Sequence, residues 1–190
     1  DGAEPPDAEE AESADEVRSV QELIDALTHG ESVGTLVDPK MRIRVQQIVD
    51  QAETAMREGE FFRAEDRFDV ALQLNPGNPM LEGGLANAQI GAGLYRSAGV
   101  TLARLFRDHE LMIDLQWEAG LIPNETRLKI AASEIRAMIR KNPGNAGALG
   151  LVLAYIGRQI GDPALVVEGL DLIDDSKLQR QVEDRKSTRL

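Results

Sequence analysis

Val17, Val20, Leu23, Ile24 and Leu27 recur at three- and four-residue steps and stop at Gly30, the spacing that places apolar side chains on one face of a helix. Ser13 with Glu16 three positions later supplies a capping box at its start, so the pattern predicts a leading helix over 15–30. Residues 1–14 hold no bulky apolar side chain and are expected to stay disordered, and 31–38 reads as a linker. Beyond Asp38-Pro39, an N-cap followed by proline, the helical spacing continues but is cut by glycine, proline and asparagine into pairs of segments. The predicted helices are 39–58 and 60–75, 79–92 and 95–108, 111–120 and 125–141, then 146–160 and 163–174. Gly59, Gly93 and Gly161-Asp162 turn three of these pairs, and Ile122-Pro123-Asn124 breaks the other, with Asn124 as a cap. A polar segment over 176–185 can form a final helix that shields the end of the stack. The expected class is all-α.

The pairs are related to one another. Asn75-Pro76-Gly77-Asn78 returns further along as Asn142-Pro143-Gly144-Asn145, at an offset close to two steps of 34. At a single step of 34, Gly59-Glu60-Phe61-Phe62-Arg63-Ala64 falls on Gly93-Leu94-Tyr95-Arg96-Ser97-Ala98, and Phe68 and Ala71-Leu72 fall on Leu102 and Leu105-Phe106. Small residues at Ala52, Ala64 and Ala71 suit positions where two helix backbones approach closely, with Phe61 and Phe68 filling the gaps beside them. The period, the Gly-x-aromatic-x-x-Ala core and the Asn-Pro-Gly-Asn turn resemble the tetratricopeptide repeat. The resemblance covers about 45–175 and is densest in the first two units. It implies an α-solenoid of four helix-turn-helix units, and a non-catalytic module or scaffold that binds a protein partner.

Composition agrees with that class. Forty-two percent apolar residues, with only four phenylalanines, two tyrosines and one tryptophan, describe an aliphatic core suited to helix-on-helix packing. At 190 residues the chain is long enough to bury roughly 70% of its unfolded surface. The net charge of −12 is uneven: Asp1, Glu4, Asp7, Glu9, Glu10, Glu12, Asp15 and Glu16 carry −8 with no base among them. The near balance elsewhere argues against a nucleic-acid partner, which needs a basic stripe, and against an anionic membrane surface. No apolar run approaches a membrane span, so no membrane insertion is expected. The absence of cysteine leaves the compartment open. Asp1-Gly2-Ala3-Glu4-Pro5-Pro6 reads either as a start left by signal removal or as a fragment's edge, so cytoplasm and cell envelope both stand.

Chemistry is sparse. His29 and His109 lie far apart in sequence and belong to no metal-ligand spacing, so no metal or cofactor is expected. No serine lies in a nucleophile elbow, and the glycines at Gly83-Gly84 and Gly91-Ala92-Gly93 lack the lysine and the preceding strand of a phosphate loop. Glu65, Asp66 and Asp69 read as a solvated helix face. No paired acid, base or nucleophile marks an enzyme.

The tetratricopeptide resemblance implies a ligand groove on the first helix of each pair. Carried onto this chain it comprises Gln46, Val49, Glu53, Met56 and Arg57, then Met80, Gly83, Asn87, Ile90 and Gly91, with Ile113 and Gln116 in the third unit and Gly147, Gly150, Ala154 and Arg158 in the fourth. Only Asn87 matches the clamp by which one subclass holds chaperone C-termini; Val49 and Glu53 stand where that subclass has lysine and asparagine, which disfavours such a ligand. The remaining groove of Val49, Met56, Met80 and Ile90 suits an extended or helical apolar segment. Gly83 is expected to leave room for a ligand side chain, so that Gly83→Arg folds normally yet blocks binding. The alternative is a structural or regulatory repeat domain that mediates self-association or belongs to a larger polypeptide.

Overall fold

The computed structural model describes residues 39–173, and every regular element among them is helical. α1 (Pro39–Glu58), α2 (Phe61–Leu74), α3 (Pro79–Ala92) and α4 (Tyr95–Asp108) are followed by a 3-10 turn (Glu110–Asp114). α5 (Glu125–Lys141), a second 3-10 turn (Pro143–Asn145), α6 (Ala146–Ile160) and α7 (Pro163–Asp171) complete the order. The chain divides into two units between Arg44 and Val45; of the first, only the opening of α1 is described, and the clusters and cleft below belong to the second. The predicted tail, leading helix, linker and closing helix lie outside the described residues.

The punctuation residues act locally. Gly59, Gly77, Gly93 and Gly161 all have φ between 70° and 80°, the left-handed region that only glycine enters cheaply, and three of them turn one helix of a hairpin into the next. Asn78 caps α3 by accepting the N–H groups of Met80 and Leu81, Asn124 caps α5 through Arg127, and Asp162 caps α7 through Ala164 and Leu165. The two Asn-Pro-Gly-Asn copies nevertheless make different turns. In the first, Gly77 is left-handed and the last asparagine caps; in the second, the Asn142 side chain accepts the Gly144 N–H, 143–145 winds into a 3-10 turn, and Asn145 makes no side-chain cap.

One predicted helix does not form. Residues 111–120 give a 3-10 turn as far as Asp114 and then non-helical chain to Asn124. A helix that short is marginal without tertiary support. Here the tertiary structure opposes it: the Gln159 side chain takes the C=O of Leu115 and the N–H of Trp117, and Gly120 sits at φ 93°. We term His109–Asn124 the strap.

Two apolar clusters fill the fold. Ala52, Ala55 and Met56 of α1 pack with Ala64, Phe68 and Ala71 of α2 and Leu81, Leu85 and Ala88 of α3. The larger cluster joins the other side of α3, at Ala86 and Ile90, to α4, α5, α6, α7 and Ile113. Two helices are therefore central, α3 buried continuously from Leu81 to Gly91 and α6 from Leu149 to Gly157. Glycines make these burials possible. A Cβ on Gly84 would lie 2.6 Å from the Phe68 ring, one on Gly91 2.3 Å from Phe61, and one on Gly83 2.3 Å from Trp117. α3 thus presents three notches, each filled by an aromatic side chain. Ala64 and Ala98, equivalent in the repeat register, are both fully buried. Enlarging either to leucine is expected to cost roughly 1–3 kcal/mol, measured by thermal or denaturant melting; two unaltered melts would show the register to be wrong.

Candidate functional site

Between the end of α1, the start of α2, the strap, the start of α5 and the end of α6 lies a cleft of about 690 Å³. Met56, Phe61, Trp117, Ile122, Pro123, Leu128 and Ile160 give it apolar walls. Arg57 and Glu58 stand at its α1 end, Asn124 and Glu125 at its α5 end, and Gln159 beside the strap. Polar and apolar groups share the exposed lining about equally, a surface able to take up an apolar side chain and orient the backbone that carries it.

The residues expected to line a groove are separated by the structure. Met56 and Arg57 line the cleft. Gln46 is exposed, Val49 and Glu53 are half-buried on α1, Met80 is exposed, and Gln116 on the strap donates to the Arg158 carbonyl at 3.3 Å. Gly83, Asn87 and Ile90 do not form an open surface. The Trp117 indole occupies the Gly83 notch, Ile90 is fully buried, and Asn87 is fully buried between two partners. The Asn87 amide donates to the Leu121 carbonyl at 3.0 Å and its oxygen accepts the Tyr155 hydroxyl at 2.6 Å. The expected room beside Gly83 is therefore already filled by the chain itself. Gly83→Arg cannot leave the packing undisturbed, since even a Cβ meets the indole. Further along, Gly150 and Ala154 are buried against α7, so they too lie away from solvent.

Outside the cleft lining, polar contacts brace the helices. Arg127, at the start of α5, donates to the Gly91 carbonyl at the end of α3, to the Tyr95 hydroxyl and to Glu134, and the Tyr95 hydroxyl also bonds Glu134. Burial, then the Glu134 carboxylate, pushes the Tyr95 phenol up to about 12 against the opposing pull of Arg127. Glu134 is held below the usual carboxylate range, first by the Tyr95 hydroxyl. Burial raises the Tyr155 phenol further still, opposed by Asn87 and Trp117. Both tyrosines have folded-state values above the unfolded value of 10.0, so the stability they confer is complete below pH 10 and is lost as pH rises beyond it. Tyrosinate absorbance followed against pH should stay low in the native chain above pH 10 and then rise together with loss of helical circular dichroism; a normal titration in the folded chain would contradict these burials.

Glu65, expected on a solvated face, is half-buried and accepts from Gln89, while Asp66 and Asp69 are exposed. Among the described residues, no group of three or more histidine, aspartate or glutamate side chains could hold a metal ion, and no helix is long and apolar enough to cross a membrane. Phe61, Trp117, Ile122, Leu128, Gln159 and Ile160 of the cleft do not stand out in the sequence as a site. The usable signal is the glycine pattern on α3: a buried helix bearing Gly83, Gly84 and Gly91 needs large side chains from elsewhere. Comparison of the chain with family models, with curated proteins and with solved structures finds no match.

Proposed function

We propose that the chain is a non-catalytic protein-interaction module, an α-solenoid of tetratricopeptide type, that receives an apolar side chain of an extended or helical partner segment in the cleft beside the strap. The correspondence of α1–α2 with α3–α4 at a step of 34 supports the repeat reading, together with the glycines that turn both hairpins. The observation that carries the site is the cleft itself, in which apolar side chains stand beside polar and charged groups. A protein partner suits it better than a nucleic acid, because Arg57 is flanked by Glu53 and Glu58 rather than by further bases.

Ala119 lines the cleft from the strap and is itself exposed, so a long side chain there can fill the mouth without entering the core. Ala119→Arg is expected to melt like the parent chain and to lose the proteins that the parent captures, as read by affinity capture and mass spectrometry. An unchanged set of captured proteins would place binding elsewhere. Light scattering coupled to gel filtration separates this reading from self-association, a monomer being the expected result.

A further inference from the structure

The strap crosses α3 and α6 in a particular way. Gln159 on α6 uses both ends of its amide, donating to the Leu115 carbonyl at 2.9 Å and accepting the Trp117 N–H at 3.2 Å. The Asn87 amide on α3 donates to the Leu121 carbonyl. These are contacts to main chain, so they recognise a non-helical backbone and not a sequence. Strap side chains enter as well: the Trp117 ring lies over Gly83, where no larger residue would leave room for it, Ile113 is buried in the larger cluster and Pro123 is fully buried. Arg158 adds an ion pair to Asp114 at 2.5 Å at the edge of the strap. Despite these anchors Trp117 and Ile122 are only partly buried, Glu118 and Ala119 are exposed, and no helix ties the segment together after Asp114.

We propose that the surface of α3 and α6 beneath the strap is a recognition site for an extended polypeptide segment carrying an aromatic side chain, and that the strap is its internal occupant, displaced by such a segment of a partner protein. This rests on the reading of the chain as an interaction module. The strap itself defines the occupant's chemistry: a carbonyl and an N–H two positions apart that meet Gln159, an aromatic ring at the second of those positions that enters the Gly83 notch, and a carbonyl four positions later that meets Asn87. The strap forms one wall of the neighbouring cleft, so its release would also enlarge that cleft.

The probe is a fluorescent peptide of residues 112–124, with a second peptide bearing alanine at the tryptophan position as control. Each is titrated by anisotropy against the full chain and against its Trp117→Ala variant. In the parent the tethered strap competes at an effective concentration on the order of millimolar, so binding is expected to be weak. In Trp117→Ala the notch is open, and the tryptophan peptide should bind at least about ten-fold more tightly than it binds the parent, and than the control peptide binds the variant. A folded variant with no such preference overturns the proposal.

If Trp117→Ala fails to melt cooperatively, hydrogen exchange on the parent decides. The Trp117 amide should exchange by local opening, faster than the amides of Ile90 and Leu153; protection equal to theirs overturns the proposal. Concentration-dependent dimerisation of the parent that disappears in Trp117→Ala would assign the site to a second copy and overturn the partner named here. Loss of capture in Ala119→Arg without peptide binding would sink only this inference. Peptide binding with capture unaffected by Ala119→Arg would sink only the cleft reading.

Discussion

Gly169→Leu is expected to lower the melting temperature by about 6–12 °C. Gly169 faces α6 where the two backbones approach closely: a Cβ there would lie 2.4 Å from the Ala154 backbone nitrogen and 2.5 Å from the Gly150 carbonyl oxygen. Gly150 is equally committed, since its own Cβ would meet the Gly169 oxygen at 2.6 Å. Backbone atoms cannot rotate aside as a side chain can, so α7 must move outward as a body. Leu165 and Leu170, both buried against α6, would move with it. Such overpacking costs about 3 kcal/mol, the upper part of its usual range, and at this chain length that corresponds to about 2–4 °C per kcal/mol. The gain in helix propensity from replacing glycine, about 1 kcal/mol at most, does not offset it. Val167, exposed on the same helix, provides the control: Val167→Leu should melt within about 0.5 kcal/mol of the parent. Equal melting of the two variants would mean that the α6–α7 crossing is not as close as described.

The helix ends are legible in the sequence because each is decided within a few residues. A glycine that must turn left-handed at positions 59, 93 and 161, and a carboxamide or carboxylate at 78, 124 and 162 that can accept the first N–H groups, act whatever the rest of the chain does. The close-contact alanines Ala64 and Ala98 are legible through their recurrence at the repeat step. The strap is not. Leu111, Met112, Ile113 and Leu115 are apolar enough for a helix, and what prevents one is the Gln159 amide and the notch at Gly83, both distant from Trp117 in sequence. The site follows the strap. Small and apolar residues on α3 do mark a face in need of a cover, but the sequence does not say that the cover is the chain's own, and so Gly83, Asn87 and Ile90 read as open. The Asn-Pro-Gly-Asn pair teaches the same limit at smaller scale, since one tetrapeptide caps α3 and its copy winds into a 3-10 turn.

Asn87 concentrates these long-range dependencies, and Asn87→Leu is expected to cost on the order of 3 kcal/mol. Leucine keeps the branched skeleton of asparagine but is bulkier and cannot hydrogen bond, so in this fully buried position the lost hydrogen bonds add to some overpacking. The Tyr155 hydroxyl, buried on α6, would lose its acceptor at 2.6 Å, a penalty of about 1–3 kcal/mol for an unsatisfied group. The Leu121 carbonyl would lose its donor too, but Leu121 is only half-buried, so water can replace part of that bond at lower cost. Two signatures distinguish this from ordinary core damage. Adding Tyr155→Phe removes the stranded hydroxyl, so the double variant should recover about 1–2 kcal/mol, a coupling that two unrelated core substitutions would not show. Trp117, the chain's single tryptophan, sits on the segment that Asn87 holds, so its fluorescence in the folded single variant should shift toward that of a solvated indole. A single variant that melts within about 2 °C of the parent with unchanged tryptophan emission would show that Asn87 does not tie the strap to α3 and α6.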